Sequence, residues 1–440
     1  MHRRLRWIAL VAVGLLALPV LSLAFGWLRP PAPRADAPMR QAVYLWQRAW
    51  TTPVRSSVRE IAPAFDGGLV ALAYEVGWSN GSAREVFVAL DHRLLAASGK
   101  PVGLALRIGT CSRERMRDPA TVAMLRSAAR RIVDDARGAG LEPAELQIDF
   151  DSATAQLDDY RRWIEDIVQE VKPTPVTITA LPSWMSSGAF GPLVRATDGF
   201  VLQVHWAQRF RFEDDAPDLC DTAKAVRWVE QAARHGVPFF VALPTYGHIA
   251  LFDGDGELRT LVAEQPPPEV GAVTPMREFS ANAPALAELM RVWLRQRPAA
   301  MQGVVWFRLP VETDRLNWSW PTLARVMRGE TPAPGLELRW EGDGEGLQQL
   351  VAENTGDLDA ELPRRIDGAW PADAEFVGAD AMQGMDWSRD GACGVAFRRT
   401  AELAAARLRP GERRTLGWVR LDRVTEIGFR EGALVCGATD

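Results

Sequence analysis

Short apolar runs recur over most of the chain, and most of them are followed by a segment whose apolar residues have helical spacing. The runs are rich in branched and aromatic residues, which is typical of buried strands. Strands that alternate with helices must pair in parallel, because each connection crosses a face of the sheet. Eight runs are found, at residues 42–46, 67–77, 100–109, 145–151, 174–182, 199–206, 237–247 and 303–310.

The segments between the runs predict amphipathic helices. Asp221 and Ser280 are the predicted N-caps of the last two, and Gly or Pro ends each of them. Because no GxGxxG turn follows the first run, a dinucleotide-binding sheet is disfavoured. The fold class is therefore α/β, a (β/α)8 TIM barrel over residues 40–330. The clearest helices are predicted at 119–140, 157–171, 221–236 and 280–298.

The pattern changes after the sequence "ETPAPG" at residues 330–335. Short β runs follow, separated by Gly, Asn, Asp and Pro turns, and no helical segment lies between them. A small β-sandwich is predicted over residues 335–440, with a structural role against the barrel. A sugar-binding role is the alternative, although no site residues in this part support it.

The N-terminus has the pattern of an export signal. Three Arg in "MHRRLRW" precede an apolar run that ends at Leu28, and this run is long enough either for a cleaved signal or for a membrane anchor. Residues 1–28 are therefore predicted to be one or the other, and residues 29–39 a Pro/Ala linker. We expect a periplasmic or secreted protein, which contacts the inner membrane only through this segment.

Charge and cysteine content narrow the function further. The formal charge is −5, with no basic tract beyond the N-terminus, so a nucleic-acid partner is not expected. Neither a CxxC nor a Cys/His cluster suggests zinc, and no cofactor is predicted. In an oxidising compartment the simplest disulfides are Cys111–Cys220 and Cys393–Cys436, with buried free thiols as the alternative.

Functional residues of a TIM barrel lie at the carboxyl ends of its strands. Polar and aromatic residues collect at these positions, as expected of a mouth that binds a ligand. Eleven candidates follow from this rule: Trp46, Glu75, Arg107, Asp149, Asp151, Trp184, Gln203, His205, Tyr246, Trp306 and Arg308.

The sharpest candidate pair lies in "ELQIDFD", where Asp149 and Asp151 share a strand face with Gln147. In the functional interpretation, one carboxyl has a raised pKa and acts as an acid, while the other stays ionised to orient or stabilise. In the structural alternative, both belong to a buried network with Arg107.

The remaining candidates each have two interpretations. Glu75 is either a second acid across the mouth or an ion-pair partner of Arg107. His205 either moves a proton or binds a sugar hydroxyl, unless it is structural. Tyr246 and Trp306 either contact a sugar, with Trp306 as the pocket floor, or pack in the core.

Other hydrolase classes are less well supported. Asp149, Asp151 and His205 form an acceptable ligand set for a divalent metal, which leaves a metal-dependent hydrolase or deacetylase as an alternative. HxxxH and HExxH motifs are absent, however, and so is the GxSxG motif of serine hydrolases.

The segments "LQIDFD", "ITALPSW", "LQVHW" and "LPTYG" resemble an uncharacterised family of exported bacterial proteins of unknown function, over about residues 40–330. More distantly they resemble family 18 glycoside hydrolases, the chitinase-like barrels, whose fourth strand carries D-G-x-D-x-D-x-E. The resemblance implies that Asp149 and Asp151 match the last two Asp, that Tyr246 lies in the seventh-strand turn, and that Trp306 is the eighth-strand Trp.

The chain departs from that pattern at two places. The position of the catalytic Glu is Ala153, and the sixth-strand Tyr-Asp is replaced by Gln203 and His205. In another register, Asp151 takes the Glu position and would be the proton donor. The expectation is a glycan-cleaving barrel that uses Asp151 as acid, with Asp149 and Glu75 or His205 as partners. The alternative is a polysaccharide-binding protein with a degenerate cleft.

Overall fold

The computed structural model describes residues 32–205, 210–212, 218–262, 276–400 and 407–429. The predicted signal or anchor, the start of the linker and Cys436 lie outside these residues. Within them, no helix is both long enough and apolar enough to cross a bilayer.

Eight parallel strands close into a barrel, because β1 pairs with β2 on one side and with β12 on the other. The remaining barrel strands follow in chain order around the circle from β2 to β12. The strands of this half of the chain are β1 (Arg40–Leu45), β2 (Gly68–Ser79), β3 (Ser82–Phe87), β4 (Val102–Ile108), β5 (Glu145–Phe150), β6 (Val176–Ala180), β7 (Gly199–Gln203), β8 (Phe239–Pro244), β9 (Gly247–Phe252), β10 (Leu258–Val262), β11 (Met276–Ser280) and β12 (Met301–Phe307).

Strands β3 and β9–β11 are additions to the barrel. Strand β3 forms an antiparallel hairpin with the extended end of β2, and β9–β11 form a separate three-stranded antiparallel sheet after β8. These additions, which the sequence pattern did not predict, lie at the same end of the barrel as the carboxyl ends of β2 and β8.

Helices surround the barrel and bury their apolar sides against it. In the longest, Asp118 caps the N-terminus, and buried residues recur at helical spacing from Leu125 to Ala136. The helices are α1 (Thr52–Glu60), α2 (His92–Ala97), α3 (Arg113–Met116), α4 (Pro119–Gly138), α5 (Leu157–Glu170), α6 (Phe190–Arg195), α7 (Thr222–Ala233), α8 (Ala283–Arg295) and α9 (Trp320–Met327).

The C-terminal part is an all-β domain. Two four-stranded antiparallel sheets, in the orders β13-β14-β21-β17 and β18-β19-β16-β22, contribute to one apolar core, and β15 pairs with β20 beside them. The strands are β13 (Leu336–Gly342), β14 (Leu347–Asn354), β15 (Ala360–Glu361), β16 (Arg365–Ala369), β17 (Phe376–Ala381), β18 (Met385–Arg389), β19 (Gly394–Arg399), β20 (Arg407–Leu408), β21 (Arg413–Leu421) and β22 (Gly428–Phe429).

The predicted fold class is therefore confirmed, with an α/β barrel followed by a β domain. All eight predicted strands form, and the four predicted helices correspond to α4, α5, α7 and α8. The cap of α7 is Asp221, as predicted. The predicted Ser280 cap of α8 is wrong, because Asn282 accepts the hydrogen bond from the N–H of Ala285 instead.

The predicted Cys111–Cys220 disulfide is wrong, since both thiols are free and buried. Cys111 follows β4 and Cys220 precedes α7, with β5 and β6 between the two positions. Three strand spacings amount to roughly 14 Å, whereas a disulfide needs Cα atoms within about 7 Å.

Candidate active site

Phe150 decides which side chains of β5 face the lumen of the barrel. Its ring packs outward on Tyr160 and Trp163 of α5, with centroids 5.1 and 5.5 Å away. Because side chains alternate along a strand, Asp149 and Asp151 on either side of it face the lumen.

A row of charged side chains crosses three neighbouring strands at the mouth. Glu75 on β2 is in register with Arg107 on β4, and Arg107 is in register with Asp149 on β5. The guanidinium of Arg107 lies 3.9 Å from a carboxylate oxygen on each side. Glu75 also accepts hydrogen bonds from Arg48, at 2.8 and 3.1 Å. Glu75 is thus the ion-pair partner of two arginines, including the Arg107 contact that the sequence left open.

Asp149 is held in place from two further strands. Its Oδ1 accepts hydrogen bonds from Thr179 Oγ1 on β6 at 2.9 Å and from Gln203 Nε2 on β7 at 3.2 Å. Burial raises the pKa of this carboxyl, and the charge of Glu75 adds to the rise, while Arg107 and the two hydrogen bonds oppose it. Asp149 is therefore a carboxyl held in place beneath the mouth, with its side chain 16% exposed.

Asp151 differs from its neighbour in contacts and exposure. It lies just beyond the end of β5, its side chain is exposed, and it makes no hydrogen bond or ion pair with any described residue. Partial desolvation in the mouth and then the charge of Asp149 raise the pKa of Asp151 to about 6, with Arg107 in opposition. A carboxyl with such a pKa can be protonated in mildly acidic solution and reach a ligand.

Aromatic rings form the wall opposite the carboxyls. The Phe307 ring lies 5.3 to 5.6 Å from the rings of Tyr44, Trp46 and Tyr246 and stacks on His205 at 5.7 Å. The Arg107 guanidinium lies 5.9 Å from the centre of the Trp46 ring, so the wall and the charged row meet at Arg107.

His205 and Tyr246 form one unit within this wall. The Nδ1 of His205 lies 3.3 Å from the Tyr246 hydroxyl. Burial lowers the pKa of His205 to about 4 and raises that of Tyr246 to about 12. Both side chains are neutral near pH 7. His205 can therefore form hydrogen bonds at this pH, but it is not protonated and cannot act as a general acid.

The structure corrects two of the predicted substrate contacts. Trp306 is fully buried and points away from the lumen, where its indole N–H donates to Gln41 Oε1 at 3.0 Å. Trp184 is also fully buried, and its indole N–H donates to the carbonyl of Ser152. Neither ring is accessible to a ligand, and the lumen position expected of Trp306 belongs to the next residue, Phe307.

Arg308, another predicted substrate contact, is neither fully enclosed nor freely accessible to a ligand. Its side chain is only 7% exposed and pairs with Asp314 at 2.5 Å, although it borders a cleft beside the mouth. Its first role is structural, because a buried arginine depends on its carboxylate partner.

Several contributing residues were not among the candidates. Tyr44 and Thr179 lie on the lumen faces of β1 and β6, and Arg48 follows β1 in a loop. The alternation within "AVYLW" and "VTITA" was a usable signal for the first two. No local signal placed Arg48 against Glu75, since this contact depends on the path of the loop.

The metal alternative is not supported by the geometry. Among the described residues, no three His, Cys, Asp or Glu side chains lie close enough together to hold an ion. The His205 ring contacts Tyr246 and Phe307, whereas Asp149 contacts Thr179 and Gln203, so the proposed ligands belong to different groups.

Two parts of the chain match family models. Residues 98–312 match a domain of unknown function (DUF3142), and residues 339–422 match another (DUF8456). The first match lies within the barrel and includes Asp149 and Asp151, and it confirms the predicted resemblance to a family of unknown function. No curated protein matches the chain.

Solved structures similar to this chain include the spore cortex-lytic enzyme SleL of Bacillus cereus, at 13% identity over 66% of this chain and 74% of that chain, with a TM-score of 0.46. A chitinase from Chromobacterium violaceum is similar at 11% identity over 67% of this chain and 99% of that chain, with a TM-score of 0.45. A chitinase from Bacteroides thetaiotaomicron is similar at 12% identity over 62% and 90%, with a TM-score of 0.45.

Proposed function

We propose that this chain, whose barrel carries the DUF3142 domain, is an exported glycoside hydrolase-like enzyme that cleaves a glycan by general-acid catalysis. The observation that carries the proposal is that two carboxyls of one strand end, Asp149 and Asp151, differ in contacts and exposure. Asp149 is half-buried and accepts hydrogen bonds from Thr179 and Gln203. Asp151 is exposed, has no hydrogen-bond partner among the described residues, and has a pKa raised to about 6. Export is proposed from the charged and apolar N-terminus alone.

In the proposed reaction, protonated Asp151 donates its proton to the glycosidic oxygen as the bond to the anomeric carbon breaks. In a substrate with an N-acetyl group, the acetamido oxygen attacks the anomeric carbon from within the sugar. Water then opens this intermediate, and the Asp151 carboxylate accepts a proton from it, which restores the acid. Asp149 accepts a hydrogen bond from the acetamido N–H and so orients the attacking group.

The remaining lumen residues support this arrangement. Arg107 lies between Glu75 and Asp149 and offsets part of their negative charge, which keeps the site from accumulating like charge. Phe307 is half-buried and offers a ring surface for the apolar face of a sugar, whereas Trp46, only 5% exposed, supports the Phe307 ring from the side. Glu75 is engaged by Arg48, so its proposed role is positioning.

A binding protein is the second candidate function, and Ala153 favours it. This residue begins the turn after β5, where the resemblance to chitinase-like barrels implies a catalytic Glu. If Asp151 does not take over that role, the same mouth would hold a glycan without cleaving it.

Assays of cleavage and binding on a panel of periplasmic glycans distinguish the glycoside hydrolase from the binding protein. We expect the purified protein to release reducing ends from at least one N-acetylated member, measured by product chromatography. Binding to panel members without cleavage of any would reject the enzyme and favour the binding protein.

The pH dependence of cleavage tests the identity of the acid. Because Asp151 must be protonated to donate, kcat is expected to fall above pH 6, by about tenfold for each further pH unit, following the pKa of about 6. Initial rates between pH 4 and 9 would measure this limb. A rate that stays flat to pH 8 would contradict Asp151 as the acid.

The raised pKa of Asp151 also predicts how the stability of the folded protein changes with pH. The folded-state pKa of Asp151 is raised from 3.8 to about 6, so its favourable contribution is present below pH 3.8 and is lost as the pH rises through 6. Asp151→Asn is therefore expected to raise the melting temperature relative to wild type at pH 7 more than at pH 4, as measured by calorimetry. An equal difference at both pH values would contradict the raised pKa.

A further inference from the structure

A large cleft lies between the rim of the barrel mouth and the β domain. Its volume is about 1130 Å³, which exceeds the roughly 300–1,000 Å³ of a pocket for one small molecule. The barrel side includes Trp46 and Arg48, and the β domain contributes Arg407, Arg409 and Arg414. A space of this size fits several linked sugar units better than a single one.

Two residues connect the cleft to the candidate active site. Trp46 lines the cleft and also packs on Phe307 in the aromatic wall. Arg48 lines it as well, and its guanidinium donates to Glu75 in the charged row. A glycan that lies in the cleft therefore runs beside the mouth of the barrel.

The cleft has the opposite charge to the protein. Among the residues that the structure describes, six arginines and four carboxylates line it, a formal balance of +2 (6 − 4), whereas the whole chain carries −5. Burial also raises the pKa of Asp359, one of the four carboxyls, with Arg409 and Arg407 in opposition. An excess of one sign of charge on a concave surface raises the local concentration of ligands of the other sign.

The walls of the cleft are fixed before any ligand binds. Arg409 donates to the carbonyls of Glu312 and Asn317 on the barrel side, at 3.1 and 3.2 Å. Arg407 pairs with Glu278 of β11 at 2.5 Å. These bonds join the β domain to the barrel, so binding requires little reorganisation of the walls.

Gln47 adds an independent sign of a missing partner. It lines the cleft, and both polar atoms of its amide are buried without a hydrogen-bond partner among the described residues. A buried polar group in this state destabilises the structure that holds it. Rotation of the amide toward a sugar hydroxyl in the cleft would satisfy both atoms.

We propose that this cleft binds an extended anionic glycan, one that carries carboxylates, and presents it to the barrel mouth. The β domain is then part of the substrate site, which is a role beyond packing against the barrel. The proposal rests on the proposed function for the direction in which the glycan runs, but binding in the cleft does not depend on cleavage.

Binding is tested with the full chain carrying Asp151→Asn, which is expected to slow turnover by about 10²–10⁴-fold. The probes are a uronic-acid hexasaccharide and an uncharged N-acetylglucosamine hexasaccharide, titrated by calorimetry at low salt. We expect the charged probe to bind at least about tenfold more tightly, and to weaken as salt rises from 50 to 200 mM, because its contacts are electrostatic. Equal affinities, or no binding of the charged probe, would overturn the proposal.

Charge reversal locates the site. Arg315 lines the cleft, is 67% exposed and lies 3.6 Å from Glu412, and Arg315→Glu is expected to weaken the charged probe by about tenfold. The matched control is Arg131→Glu on the outer helix α4, where Arg131 is 59% exposed and lies 3.6 Å from Asp135. The proposal fails if Arg315→Glu has no effect or if the control weakens binding equally. If the wild type binds the probes in this pattern but cleaves no glycan, the proposed enzymatic activity is rejected and the proposed binding site in the cleft stands.

Discussion

Asp151→Asn is expected to lower the rate of glycan cleavage by about 10²–10⁴-fold, which is the usual contribution of a general acid. The amide has the shape of the carboxyl but has no acidic proton to donate to the glycosidic oxygen. Because Asp151 makes no hydrogen bond or ion pair with described residues, its replacement disrupts no structural contact. Single-turnover rates on a cleaved panel glycan measure the loss, while calorimetry and thermal melts measure affinity and stability.

Asp134→Asn is the matched control, since Asp134 is exposed on the outer helix α4, far from the mouth. It should cleave at the wild-type rate. If Asp151→Asn kept more than about a tenth of the wild-type rate, the loss would be too small for removal of a general acid. A residue other than Asp151 would then be the acid. An equal loss of affinity and rate would instead assign Asp151 to binding.

Asp149 should respond differently from Asp151, although both residues come from one stretch of sequence. Its Oδ1 accepts from Thr179 and Gln203, and its Oδ2 lies 3.9 Å from Arg107, so an amide at this position can keep both accepted hydrogen bonds but directs a donor at the guanidinium. Asp149 therefore belongs to a network of the kind that the structural interpretation described, while Asp151 fits the functional one. The sequence placed both on one face but could not divide these roles, because the dividing contacts come from β6 and β7.

The barrel itself was predictable because strand and helix periods are local properties. Each buried strand is a short apolar run, and each long helix has a repeating apolar side, so both can be recognised without knowledge of the partners. The additions β3, β10 and β11 were missed since their exposed or half-buried strands lack a continuous apolar run, and β9 was missed since it directly follows the seventh predicted strand. The cleft with the β domain depends on long-range pairs such as Arg409 with Glu312, which no spacing rule encodes.

The eighth strand shows where local reasoning fails most clearly. A Trp and a Phe are adjacent in "VVWF", and alternation requires that only one of them face the lumen. The family resemblance favoured Trp306, yet the observed register pairs Trp306 with Val43 of β1 and turns its ring outward. Hydrophobicity alone cannot choose between two adjacent rings, because both the lumen and the helical layer accept an aromatic side chain.

Trp306→Ala is therefore expected to destabilise the protein by about 3–5 kcal/mol, the usual cost of removing a large buried ring. The Trp306 ring has no exposed surface, and its N–H joins Gln41, whose own amide donates to the carbonyl of Met327 in α9 at 3.0 Å. The loss would take a large part of the roughly 5–15 kcal/mol by which a domain is stable. Chemical denaturation followed by circular dichroism measures it, and Val292→Ala, at a 43% exposed position on α8, should cost less than about 0.5 kcal/mol.

Substitution of the neighbouring residue, Phe307, tests which of the two rings faces the lumen. Phe307→Ala removes the ring that contacts Trp46, His205 and Tyr246 in the lumen, so it should weaken glycan affinity. Folded Trp306→Ala protein, assayed at low temperature, should keep the wild-type affinity, because its ring lies on the opposite side of the strand. If Trp306→Ala instead weakened binding at wild-type stability while Phe307→Ala left binding intact, the lumen position would belong to Trp306, as the family resemblance implied.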